Sequence, residues 1–227
     1  MGVLGGLGPQ ATMDFEQRVH RVSQQMIPQR WGGGYPPMVV YYHRHPPTEM
    51  EEGGRPKVPL QPHPLLIDAA RRLGDWVDFL VITSNTPHLV QPEIEAASGR
   101  KVVSIIEATL ADVNRRQLKN VGVLGLGDPT FYTDPLEARG IPYETISGEL
   151  QTNLNECITQ VMEGRNTAAS TEIAREAVDT LRHRGVDGVI LGCTEIPILL
   201  MDDLDQPDLI NPAQLLAEAA VAYALED

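Results

Sequence analysis

At 227 residues, 42% of them apolar but only 5% aromatic, the chain has room for one large α/β domain or two small ones with an aliphatic interior. A formal charge of −13 argues against nucleic acid as a partner, yet leaves room for a small anion in a local pocket, because salt screens distant charge over about 8 Å. The opening Met1-Gly2-Val3-Leu4 has no basic leader, long apolar run or cleavage pattern, so a cytoplasmic protein without a membrane partner is expected. Two cysteines, Cys157 and Cys193, make no disulfide framework and have no metal spacing around them, so no metal is expected.

In chain order, a strand at Gly2–Leu4 runs into a glycine turn, Gly5 to Gly8, and a helix over 9–26 with apolar residues every three to four positions. A second strand is predicted at 37–42. From His43 to Pro64 the composition shifts to Pro, Gly and charge, including Gly53 and Gly54, which reads as a lid or a surface excursion. A helix over 65–73, a strand at Phe79–Ile82, a helix over 92–97 and a strand over 102–106 complete the first half. The second half restarts at Val121-Gly122-Val123-Leu124-Gly125, another strand entering a glycine turn, and a long helix over 168–184 feeds a strand at 188–191. Asn211-Pro212 starts the last helix, with a capping side chain followed by proline at the first helical position.

Two segments, Thr83-Ser84-Asn85-Thr86-Pro87-His88 and Gly192-Cys193-Thr194-Glu195-Ile196-Pro197, are variants of one design. Each follows an apolar strand, presents a small nucleophile, and places a hydroxyl where a helix begins and free backbone N–H groups attract anions. Roughly 80 residues separate glycine turn from nucleophile in the first half and about 70 in the second, the mark of an internal repeat. The pattern predicts two pseudo-symmetric, doubly wound parallel lobes, 1–112 and 113–210, with helix 211–227 packing back on the first. Ligands of such sheets bind beyond the carboxyl ends of the strands, so the site is expected between the lobes. Ser84 and Cys193 would then stand roughly 7 to 8 Å apart about a reacting centre.

Gly5-Gly6-Leu7-Gly8-Pro9-Gln10-Ala11-Thr12, Ser84-Asn85-Thr86-Pro87-His88 and Gly192-Cys193-Thr194-Glu195-Ile196-Pro197 together resemble the cofactor-independent aspartate/glutamate racemase family, in the right order and over nearly the whole chain. The resemblance implies a homodimer and an enzyme in which two cysteines flank the α-carbon, one removing the proton and the other returning it. It implies no cofactor. It makes Cys193 and Ser84 the candidate catalytic pair, with Asn85, Thr86 and Thr194 holding the substrate's carboxylate and amine. Gly8, Thr12 and Glu195 of the same motifs are further candidate substrate-binding residues.

The chain departs from the pattern at Ser84, where the family has its first cysteine. A thiol ionises near 8.5 and an alcohol near water's value of about 15.7, a gap on the order of 10 kcal/mol. Ser84 therefore needs an adjacent base such as His88, or it serves only as a donor and relay. The readings are a one-sided enzyme run by Cys193, a variant of redirected activity, or a thiol replaced by design. After the second strand, Tyr42-His43-Arg44-His45-Pro46-Pro47 stands where the family has an Ile-Pro-Asp-Arg-like segment, leaving Arg44 as the candidate for a side-chain carboxylate. Arg165, after Gly164, is the nearest match to the family's second-lobe basic residue.

Competing readings are weaker. Gly6-Leu7-Gly8-Pro9-Gln10-Ala11 satisfies the loose dinucleotide pattern, but the second strand ends in Tyr42-His43 without the acid such a site needs. His43 and His45 share a strand face with no third ligand evident. Cys193 at a helix start reads as an acidified, catalytic thiol, and Cys157, spaced with Leu154, Ile158 and Val161, as core. The functional classes left are an amino-acid racemase acting on aspartate or glutamate, a single-thiol decarboxylase or lyase, and a non-catalytic carboxylate-binding protein.

Overall fold

The computed structural model describes residues 1–28, 33–52 and 56–226; Gly53 and Gly54 of the Pro/Gly segment lie outside the described residues. The chain divides into two compact units, Met1–Ile105 with Leu216–Asp227, and Ile106–Leu215.

In the first unit β1 (Gly2–Gly5), β2 (Val39–Tyr42), β3 (Leu80–Ile82) and β4 (Val102–Val103) form an all-parallel sheet of order β2-β1-β3-β4. β1, β3 and β4 read as unbroken apolar runs because both faces are covered, whereas the edge strand β2 is partly open to solvent. On one face Leu4, Leu80 and Ile82 pack with Leu66, Ala69, Ala70 and Leu73 of α2 (Pro64–Gly74) and Ile94 of α3 (Gln91–Ser98). Gly74 lets the two helices touch, since a Cβ there would lie 2.1 Å from the Ser98 carbonyl oxygen. Val3 and Val81, on the opposite face by strand period, are equally closed to solvent. Phe15, Val19 and Val22 of α1 (Pro9–Met26) are buried, and Phe79 sets its ring edge-on to Tyr223 of the last helix at 4.8 Å.

The second unit repeats this plan. Here β5 (Val121–Leu124), β6 (Tyr143–Thr145), β7 (Gly188–Leu191) and β8 (Leu209–Ile210) are all parallel in the order β6-β5-β7-β8. Six helices accompany them: α4 (Ile105–Arg115), α5 (Thr130–Ala138), α6 (Gly148–Met162), α7 (Ala168–His183), the four-residue α8 (Ile196–Leu199), and the start of α9 (Pro212–Ala224). The apolar stripes of α6 (Leu154, Cys157, Ile158, Val161) and α7 (Ala174, Ala177, Val178, Leu181) enclose Leu124, Val189 and Leu191. Cys157 is thus a core residue, and burial pushes its thiol up. Thr167 and Ser170 cap α7 reciprocally, which fixes where that helix starts.

Two elements differ from the sequence reading. The strand expected over 102–106 ends at Val103, and Ile105 already opens α4, because a short apolar run fits a strand and a buried helical turn equally well. The helix expected at Thr86 is a 3-10 turn, Thr86–Val90, ahead of α3. No helix among the described residues is long and apolar enough to cross a membrane.

Candidate active site

Ser84 lies two residues beyond β3, and Cys193 two residues beyond β7, the third strand of each repeat in chain order. The two units therefore offer their nucleophiles from topologically equivalent places. What surrounds each is different.

In the first unit the glycine turn is tied to the end of β3 by Thr12. Its hydroxyl accepts from the Gly6 N–H (2.8 Å), donates to the Gly8 carbonyl (3.2 Å) and meets the Thr83 hydroxyl at 2.9 Å. That uses the full capacity of a hydroxyl, so Thr12 holds the turn in shape and has no bond left for a ligand. Gly8 has φ 149°, a conformation that suits glycine, and Pro9 follows as the first residue of α1. Asn85 is buried and Thr86 exposed, while Ser84 is half-buried.

His88 is not the base for Ser84. Its Nδ1 donates to two backbone carbonyls, of Ser84 (3.0 Å) and Asn85 (3.2 Å), and its Nε2 accepts from the Ile105 N–H at 3.3 Å. Both ring nitrogens are thereby committed in the neutral tautomer. Burial lowers its pKa from 6.5 to about 4. The imidazole pins the segment after β3 to the start of α4 and leaves the Ser84 hydroxyl without an activating base from this ring.

In the second unit Cys193, Thr194 and Glu195 are all buried. The Cys193 thiol donates to Glu195 Oε2 at 3.1 Å and the Thr194 hydroxyl to the same oxygen at 3.2 Å. Glu195 Oε1 is buried with no hydrogen-bond partner among the described residues. Burial, before the adjacent Glu195 charge, drives the thiol's pKa well above its ordinary value, and burial also raises that of the Glu195 carboxyl. This corrects the expectation of a thiol acidified by a helix start, because α8 is a single turn and too short for a substantial dipole. Two backbone N–H groups, of Glu195 and Leu126, oppose the rise.

Leu126 escaped the sequence reading, although it sits between Gly125 and Gly127 in the turn matched to Gly6-Leu7-Gly8. Tyr132 escaped it too. Its ring lies fully buried against the Gly192 backbone, where a Cβ would come within 3.1 Å of the ring, and its hydroxyl meets Thr109 at 3.3 Å.

Both basic candidates are exposed. Arg44 is exposed just past β2, its guanidinium 5.1 Å from the Tyr42 ring centroid. Arg165 is exposed in the turn between α6 and α7 and paired with Glu163.

The two matched parallel sheets, each with a glycine turn after its first strand and a nucleophile after its third, define an α/β enzyme scaffold of repeated half-sites. The Asp/Glu/hydantoin racemase family matches residues 4–220, and the chain belongs to that family. It is similar to the broad specificity amino-acid racemase RacX of Bacillus subtilis (strain 168), with 25% identity covering 99% of this chain and 98% of the relative. Among solved structures, an aspartate racemase homologue from Pyrococcus horikoshii OT3 is 26% identical with a TM-score of 0.73, over 98% of this chain and 97% of that one. Picrophilus torridus aspartate racemase shares the fold with a TM-score of 0.78 at 20% identity, over 99% and 93%. The protein is accordingly a racemase-like isomerase.

Proposed function

We propose that the protein moves the α-proton of an amino acid through Cys193, with Glu195 as the base that ionises the thiol. The observation that carries this is the 3.1 Å bond from the thiol to Glu195 Oε2, joined by the amides of Leu126 and Glu195. Passing the thiol proton to Glu195 gives a thiolate and a carboxylic acid with no change in net charge. Burial, which opposes a second charge, tolerates that exchange. The thiolate then takes the α-proton, leaving a carbanion and restoring the thiol.

Ser84 supplies a hydroxyl and no base. An alcohol gives a proton to a carbanion readily but accepts one poorly, so the two directions of reaction are unequal. The locked His88 favours this one-sided chemistry, in which α-proton exchange outruns inversion. Aspartate and glutamate are the first substrates to test, both supported by the family and aspartate also by the name of the 26%-identical Pyrococcus horikoshii relative. Incubating D- and L-amino acids in heavy water and following α-deuteration and optical rotation separately tests the reading. Exchange faster than inversion, from one enantiomer preferentially, is expected. Binding without exchange for every amino acid would overturn it.

A further inference from the structure

The Pro/Gly segment after β2 pairs with itself through its described parts. Its two described limbs, 46–52 and 56–62, run antiparallel, with bridges at Thr48–Pro62 and Met50–Pro56. Glu49 N–H donates to the Gln61 carbonyl (2.9 Å), Lys57 N–H to the Glu49 carbonyl (2.9 Å) and His63 N–H to the Pro47 carbonyl (3.0 Å). Three imidazoles gather at the base of the limbs. His45 and His63 are stacked at 5.5 Å and 9°, and His43 lies 5.7 Å from the first and 6.4 Å from the second, centroid to centroid. The cluster adjoins the carboxyl end of β1, where the His43 N–H donates to the Gly5 carbonyl at 2.8 Å.

Two of the three rings are held in ways that suit only the neutral form. The His43 ring bonds the Pro46 carbonyl, while its Nε2 is buried with no partner among the described residues. A proton there would make a charged N–H with no acceptor. His63 Nδ1 accepts the Leu65 N–H at 3.2 Å and so caps α2, a bond that an imidazolium, with both nitrogens protonated, has to give up.

We propose that His43, His45 and His63 form an acid-released latch: neutral imidazoles hold limbs 46–52 and 56–62 together at the carboxyl end of β1, and protonation lets them part. The charged groups around the cluster fit this role. Arg44, one residue on, adds positive charge on the β2 side. Glu49 on the first limb faces His63 but is already bound by Lys57 of the second. Gly6 of the glycine turn packs against the His43 backbone and brings no charge. Burial lowers the His43 pKa below its ordinary 6.5. The closed limbs therefore bind fewer protons than the open ones, and closure is complete above that value and lost as pH falls below it.

Hydrogen exchange of the whole chain at pH about 7.5 and about 5, corrected for intrinsic rates, tests the latch. Protection of the Glu49, Lys57 and His63 amides is expected to fall at least about tenfold at the acid pH, while amides of β5 and β7 hold theirs. His43→Phe, which keeps a ring but cannot take a proton, is expected to lose less of its protection in acid than the unmodified chain. Should that variant fold poorly, His63→Asn serves, because asparagine caps α2 without titrating and is expected to weaken the acid response. Limbs equally protected at both pH values in the unmodified chain, or variants that open in acid as the unmodified chain does, would overturn the proposal.

Discussion

The segments after β3 and β7 occupy the same place in two copies of one sheet order, yet their chemistry has diverged. After β7 a buried thiol and a buried carboxyl share hydrogen bonds, each raised in pKa by burial. After β3 the corresponding position is a half-buried hydroxyl, and the imidazole of His88 spends both nitrogens on backbone. Topology thus conserves where a reactive group is presented, while burial and local hydrogen bonding determine whether it can move a proton. On the proposed reading the second unit carries the proton chemistry, while in the first unit the imidazole serves to hold backbone in place.

Removing the thiol should break this asymmetry most severely. Cys193→Ala is expected to lower α-proton exchange by at least about a thousandfold with the fold intact, since the other group bonded to Glu195 Oε2, the Thr194 hydroxyl, is an alcohol and far harder to ionise than a thiol. Near-normal exchange in heavy water by that variant would move the chemistry elsewhere.

Glu195→Gln should cost less, roughly 10²–10⁴-fold, because the amide keeps the shape but cannot take the thiol's proton. The rate should also rise only at higher pH than in the unmodified protein. The buried thiol then has to ionise to solvent without a carboxylate to receive its proton. A pH–rate profile unchanged in position would separate Glu195 from the proton path.

Ser84→Cys sharpens the comparison from the other side by making the two repeats alike. Inversion of aspartate or glutamate is expected to rise toward the rate of exchange, about tenfold or more, with both enantiomers turning over. No gain on any amino acid would favour the single-thiol or binding reading.

The smallest effect concerns His88. Its pKa of about 4 against an ordinary 6.5 means that the folded chain binds fewer protons than the unfolded one between these values. Stability should therefore fall as pH drops from 6.5 to about 4, by about 3 kcal/mol at most. His88→Gln should flatten that part of the stability curve in denaturant titrations and leave exchange within a few-fold of normal. A large loss of activity with stability unchanged would return His88 to the chemistry.

Much of this architecture was legible along the chain, because parallel strands buried on both faces must be continuous apolar runs and their turns must be glycine-rich. Val3-Leu4, Leu80-Val81-Ile82, Val121 to Leu124 and Gly188 to Leu191 announce themselves that way, and so does the repeat. The short strands β4, β6 and β8 carry two or three residues each, too few for period or length to distinguish them from their surroundings.

The state of each site group depended on contacts that sequence spacing does not encode. Residue types and their order identified Cys193, Glu195, Ser84 and His88 as worth attention. Only the tertiary structure buried the thiol beside Glu195 and aimed the Leu126 amide at it. Only the fold brought His63 to His43 and His45, twenty and eighteen positions earlier in the chain, and only the fold turned His88 toward backbone. Proton affinity is set by desolvation and by the few partners within hydrogen-bond reach. Those are properties of packing in three dimensions, whereas the apolar period that builds a sheet is local to each strand.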